Sequence, residues 1–268
     1  MNKKSIKWQN IYLVFMFIVL YAPIFYLVMY SFNAGGNMNG FSGFTLEHYQ
    51  TLFADTRLMT FIINTFIVAI LSALFATIIG TFGAIAIYYA RQKRHRQILL
   101  NLNNVLMVTP DVMMGASFLI LFTMFIKIKM GFMTVLLAHI AFNIPIVVLM
   151  VLPRLYEMNP TMITAAQDLG ATHGQTIRNI ILPSITSGIF AGFFMAFTYS
   201  LDDFAVTFFL AGNGFSTLSV EVYSRARAGI SLEINALSTL MFLLALVLVT
   251  GYYFIQVNEQ RRKVKGAM

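Results

Sequence analysis

Apolar residues in this chain gather into long blocks rather than into stripes, over about 11–32, 61–90, 98–126, 132–152, 184–210 and 234–256. A hydrocarbon core of roughly 30 Å takes about 20 residues of helix, and each block meets that length. In lipid every backbone polar group needs an internal partner, which leaves helices or closed barrels. Barrel strands would show short segments of alternating polarity, and these blocks do not alternate. The pattern predicts an all-α, polytopic membrane protein with six transmembrane helices in one domain, 11–256. A cytoplasmic N-terminus, 1–10, precedes it and a basic cytoplasmic tail, 257–268, follows. The first block follows Lys3, Lys4 and Lys7 as a signal peptide would. It is longer than such a segment and contains Pro23, so it reads as a retained helix.

Within this frame some segments depart from plain spans. GFTLEHYQTLF at 43–53 sets Leu46, Tyr49, Leu52 and Phe53 at helical spacing, as a short surface helix would. The second block is over-long and is expected to tilt or project from the bilayer. Thr109-Pro110-Asp111 stands near the middle of the third, where the missing proline donor predicts a kink or break. His139, Asn143 and Pro145 suggest a second irregular site in the fourth. Asp202-Asp203 lies in the outer half of the fifth, and a short helix is expected around Leu218–Arg227.

Only 10% of the 268 residues are charged, and 59% are hydrophobic, against roughly 25% charged in a soluble domain. The net charge of +8 has a topological origin. With the N-terminus inside, thirteen of the eighteen Lys and Arg fall on inner segments, which places both termini in the cytoplasm. No nucleic-acid partner is needed to explain the basic pI; anionic lipid suffices. There is no cysteine, so disulfides and thiol chemistry are excluded. No GxxxxGK[ST] segment is present to cradle a phosphate, and no metal-ligand cluster or nucleophile–base set stands out.

The polar segment TAAQDLGATHGQTIRNIILP, Thr164–Pro183, interrupts this apolar background. Asn159-Pro160 is a helix start, an N-cap side chain followed by proline where no donor is needed. Gly170 fits the left-handed position that ends a helix. Thr172 and Gln175 have capping-box spacing for a second helix, reaching Leu182 ahead of Pro183. Ala165 and Ala166 are small enough to let a partner's backbone approach. Local chemistry alone allows either a docking element or an ordinary connector.

The segment resembles the inner-loop motif of ATP-binding-cassette (ABC) importer permeases. That motif is Glu-Ala-Ala, three residues, Gly, nine residues, Ile, one residue, Leu-Pro. Ala165, Ala166, Gly170, Ile180, Leu182 and Pro183 match it, and Ala171 is frequent after the glycine. Thr164 replaces the usual glutamate, and Ile177 the common phenylalanine. SLDDFAVTFFLAG at 200–212, VEVYSRARAGISLEINALST at 220–239 and GFTLEHYQTLF are similar to spermidine/putrescine importer permeases, the second subunit type of that system. The resemblance implies a type I ABC importer permease fold and a coupling loop, 153–183, in which Thr164, Ala165, Ala166, Asp168, Gly170 and Ala171 meet the motor. It implies that the chain holds no cofactor and hydrolyses nothing itself. ATP-Mg would sit on a separate cytoplasmic ABC ATPase dimer. A second homologous permease subunit would complete the pore, and an extracellular or periplasmic polyamine-binding protein would deliver cargo. Tyr223, Arg225 and Arg227 are the expected contacts for that protein.

Charge placement points the same way. A carboxylate at the bilayer centre costs about 2.5–3.5 kcal/mol on insertion scales unless it faces a cavity or partner. Asp111, Asp202 and Asp203 lie in apolar blocks with no Lys or Arg at mid-helix. A route lined that way suits a cation, and aromatic faces such as Tyr199 and Phe204 would add attraction for ammonium groups. Adjacent residues point about 100° apart on a helix, so one of Asp202 and Asp203 is expected to face the route and the other to cap a break or bond a neighbouring helix. His139 reads as a satisfied packing residue. Two alternatives remain at this point: a proton-coupled secondary transporter, and an ABC permease for ferric iron, thiamine, sulfate or molybdate.

Overall fold

A computed structural model describes residues 8–36, 38–228, 232–243, 245–247 and 250. The expected basic tail, and most of the N-terminal segment, lie outside the described residues. The chain divides into two compact units, one of 1–59 with 222–268 and one of 60–221.

In the first unit, α1 (Trp8–Tyr30) is predominantly apolar from Ile11 onward and carries Pro23 without a break. The chain then folds around Asn33, which is fully buried. Its side-chain oxygen accepts from the Ser42 amide at 2.8 Å, and its amide donates to the Gly40 carbonyl at 2.9 Å. This turn leads into α2 (Glu47–Ala54), the expected surface helix, which buries Leu52. The carboxylate of Asp55 accepts from the Arg57 and Leu58 amides, each at 3.0 Å, and so opens the next helix. The short outer helix α12 (Leu218–Ala228) occupies the expected stretch.

The second unit is a helical bundle. α3 (Thr56–Tyr89) has 34 residues. At 1.5 Å per residue it is about 51 Å long, well beyond a hydrocarbon core. α4 (Lys93–Val108) and α5 (Asp111–Ile120, extended by a wide π-turn to Ile126) meet at Thr109-Pro110 with an angle of 107°. Proline forces the preceding residue out of helical space, and Thr109 is extended at φ −73°, ψ 129°. The third apolar block is therefore two helices sharply bent, not one kinked span. α6 (Phe132–Glu157) runs unbroken through both Pro145 and Pro153. The irregularity expected there is absent, because packing around buried Val147, Val148 and Val151 over-determines the helix. Transmembrane helices tolerate proline where neighbours hold them. α3 comes so close to α6 that a β-carbon on Gly80 would sit 2.7 Å from that of Val147.

α7 (Thr161–Asp168) starts the polar loop. α8 (His173–Thr176), a π-turn over Ile177–Ile181 and α9 (Leu182–Ser184) form one helical run, bent by 69° from α10 (Thr186–Asp202). The helix passes through Pro183 before the bend at Ile185. After a break at Asp203-Phe204, α11 (Ala205–Leu210) resumes. Among the described residues, three helices are long and apolar enough to cross a membrane, or up to five if each bent pair counts as one span. The six expected spans are not reached among the described residues, because two blocks are broken and the last, 234–256, runs beyond them.

Candidate functional site

Two places in the larger unit carry the residues singled out by sequence. In the polar loop, Asn159 Oδ1 accepts from the Thr161 amide at 3.0 Å and starts α7. At its other end Gly170 N donates to Gln167 O and Ala171 N to Ala166 O, both at 2.9 Å. This is the paired C-terminal cap that needs a left-handed residue, and Gly170 has φ +83°. Thr172 and Gln175 then form the capping box. Thr172 N donates to Gln175 Oε1 at 2.8 Å and Gln175 N to Thr172 Oγ1 at 3.4 Å. Ile163, Ile181 and Ile185 anchor the loop in the core shared by α3, α6 and α10. Thr164, Ala165, Asp168 and Gly170 are exposed, Ala166 and Ala171 half-buried. Leu169 at the tip is 89% exposed. Among the described residues, its chain neighbours aside, nothing lies within 4 Å of a β-carbon built on Gly170.

The second place is the break after α10. Asp111, in the first turn of α5, is exposed, and Tyr199 donates its hydroxyl to Asp111 Oδ1 at 3.2 Å. The Tyr199 ring packs edge-on against Phe142 of α6, with centroids 5.6 Å apart. Asp202 closes α10 and is exposed, and Phe204 is half-buried beside it. Asp203 turns the other way, with its side chain 5% exposed. Its carboxylate accepts from the amides of Val206 at 3.2 Å and Thr207 at 2.9 Å, capping α11, and from the Thr207 hydroxyl at 2.8 Å. His139 Nε2 lies 3.3 Å from the same carboxylate. Asp111 and Tyr199 are thus joined, and Asp202 is exposed three residues after Tyr199 on α10, whereas Asp203 is internal. His139 is fully buried, as a packing residue would be, yet it organises this region together with Ser72, Ser200 and Thr207. Ser72, Ser200 and Thr207 were not expected from sequence; small hydroxyl residues in apolar helices give no signal of their own.

In the other unit, Arg225 donates to Asp55 at 2.8 Å and to Glu233 at 3.4 Å. The bond from Arg225 holds the Asp55 carboxyl below the usual carboxylate range. Arg225 is thereby occupied within the chain. Tyr223 and Arg227 are exposed, and the Arg227 guanidinium stands 6.0 Å from the Tyr223 ring centroid. Among the described residues, no group of three or more His, Cys, Asp or Glu is arranged to hold a metal ion.

Helices broken beside aspartates and an exposed, locally capped loop are thus set within a bundle of apolar helices. Residues 80–265 match the family model described as binding-protein-dependent transport system inner membrane component, and the chain belongs to that family. The chain is 37% identical over 247 residues to the spermidine/putrescine transport system permease protein PotC of Escherichia coli (strain K12), covering 92% of this chain and 91% of that one. It is 32% identical over 265 residues to the putrescine transport system permease protein PotI of the same strain, covering 96% and 94%. Its fold matches a bacterial ABC transporter involved in import of the acidic polysaccharide alginate, with TM-score 0.74, 19% identity and 92% of both chains covered. It also matches the inward-facing MetNI methionine ABC transporter, with TM-score 0.59, 18% identity and 77% of this chain covered against 96% of that one. The protein is a non-catalytic permease subunit of an ABC importer, homologous to polyamine transport permeases. That membership sets aside the proton-coupled carrier.

Proposed function

We propose that this chain lines half of a six-helix-type route for polyamines across the bacterial inner membrane. The observation that carries the cargo reading is the exposed Asp111 carboxylate, joined by the Tyr199 hydroxyl, with Asp202 exposed at the end of α10. α5, α10 and α11 contain no Lys or Arg to neutralise them. Such a surface offers weak stations for ammonium groups and opposes an anion. Relatives named for spermidine and putrescine transport support the same cargo. Asp203 contributes by fixing the break, and Phe204 and Tyr199 supply aromatic faces.

The loop 153–183 docks on a dimeric cytoplasmic ATPase, which holds ATP-Mg. Thr164, Ala165, Ala166, Asp168, Gly170 and Ala171 form its contact face, with both termini on that side. A second homologous permease completes the pore. A binding protein delivers the cation from outside, and Tyr223 and Arg227 meet it; Arg225 shapes the outer helix from within.

The test is uptake of labelled spermidine by the assembled transporter in proteoliposomes. Unlabelled spermidine and putrescine are expected to compete and sulfate not to. Asp111→Asn is expected to cut uptake about tenfold, the equivalent of one lost charge-assisted contact of roughly 1.4 kcal/mol. Competition by sulfate alone would replace the cargo.

A further inference from the structure

One side chain ties the two flanks of the α10–α11 break together. His139, fully buried on α6, places Nδ1 2.6 Å from Ser200 Oγ on α10 and Nε2 3.0 Å from Thr207 Oγ1 on α11. The same Nε2 stands 3.3 Å from Asp203 Oδ2, inside the break. Ser200 passes the connection on to Ser72 of α3 at 2.9 Å. Imidazole is suited to this because its two nitrogens point apart in a rigid ring, and each can hold a different element. The ring has a second consequence. It packs on Phe142 with centroids 4.9 Å apart, and Phe142 in turn packs on Tyr199, the donor to Asp111.

A helix break leaves amides without partners and backbone angles free. Here Asp203 takes up the Val206 and Thr207 amides, and His139 holds Asp203. Asp202, Tyr199 and through it Asp111 are therefore presented from a frame whose common support is His139. We infer that His139 is a positioning residue for transport, fixing the relative placement of Asp111–Tyr199 and Asp202 and so setting which separation of ammonium groups the route favours. This rests on the proposal that those aspartates line the route.

The experiment uses the complete transporter, with ATPase, second permease and binding protein, in proteoliposomes. Uptake of putrescine and of spermidine is measured as kcat/KM for the unmodified complex and for His139→Gln, Ser200→Ala, Thr207→Val and Asp202→Asn. His139→Gln retains hydrogen-bonding atoms but loses the ring. Both hydroxyl variants keep the ring: Ser200→Ala removes the bond at Nδ1 together with that to Ser72, and Thr207→Val removes the bond at Nε2 together with that to Asp203. The expected result is a change of about threefold or more in the putrescine-to-spermidine ratio for His139→Gln and for at least one hydroxyl variant, since discrimination follows the geometry of transition-state contacts. Equal losses for both cations, with the ratio unmoved, would reduce His139 to packing and overturn the inference. If His139→Gln does not assemble, the two hydroxyl variants decide by the same ratio. Asp202→Asn separates the two levels. Unchanged uptake of both cations there defeats the route and this inference with it. Lost uptake beside unmoved ratios in the other variants defeats the positioning role alone. Transport of neither cation by the unmodified complex sinks both.

Discussion

The loop from 159 to 184 and the break from 199 to 207 both interrupt helix, yet opposite kinds of bond hold them. In the loop, the cap at Gly170, the box at Thr172 and Gln175 and the Asn159 start all join residues a few positions apart. At the break, the bonds of His139 reach 61 and 68 residues along the chain, and that of Ser200 to Ser72 reaches 128. The difference follows from where each lies. An exposed loop can be shaped by its own backbone chemistry, which leaves its outer face bare. A break within apolar helices has no water to satisfy its amides, so neighbouring helices must do it.

The contrast can be broken most sharply at Gly170. Gly170→Asp puts a side chain where φ is +83° and where, among the described residues beyond its chain neighbours, no atom lies within 4 Å. Left-handed backbone costs a residue with a β-carbon about 1 kcal/mol. Under the proposed docking role, the larger effect comes from crowding the exposed face against the ATPase. ATP-driven uptake is expected to fall tenfold or more, about 1.4 kcal/mol of coupling, while membrane insertion measured by fractionation persists. Full uptake would remove the loop from the docking role.

A smaller effect is expected from Thr172→Ala, which deletes half the capping box. Loss of such a cap costs about 1 kcal/mol. Protease nicking between 170 and 176 in the purified complex should rise, with the rest of the chain protected. The same digestion of Thr207→Val should show no change there, since that bond belongs to the other region.

The smallest effect concerns the outer unit. Asp55 bonds Arg225 and two amides, and its carboxyl is held below its ordinary value. A depressed folded value means the contribution is full above the unfolded value near about 3.9 and is lost as pH falls through the folded one. The pair's contribution to the thermal midpoint should therefore not vary with pH over about pH 5–8; Asp55→Asn should lower the midpoint slightly there, by an amount that shrinks as pH falls below the ordinary carboxylate value.

Residues differed widely in how much they disclosed. Pro110 announced a break because its chemistry is local, although the size of the bend depends on packing and was not readable. Pro145 announced one that does not occur, since buried valines on α6 outweigh the lost donor. Gly170, Thr172 and Gln175 could be placed because caps are written within four residues of sequence. Asp202 and Asp203 are indistinguishable as letters; which one turns inward is decided by His139 and Thr207, far away in the chain. The burial of His139 could be anticipated, but its role as a tie between α10 and α11 could not.

The π-turn at Ile177–Ile181 holds one residue more than an α-turn would, just ahead of Leu182-Pro183. Each residue of helix turns the chain by about 100°. The surplus residue therefore works as a phase setting: it decides which side of the knuckle points outward relative to α10. Trimming it would leave composition and caps almost untouched and still aim the bare leucine at a different quarter of the compass.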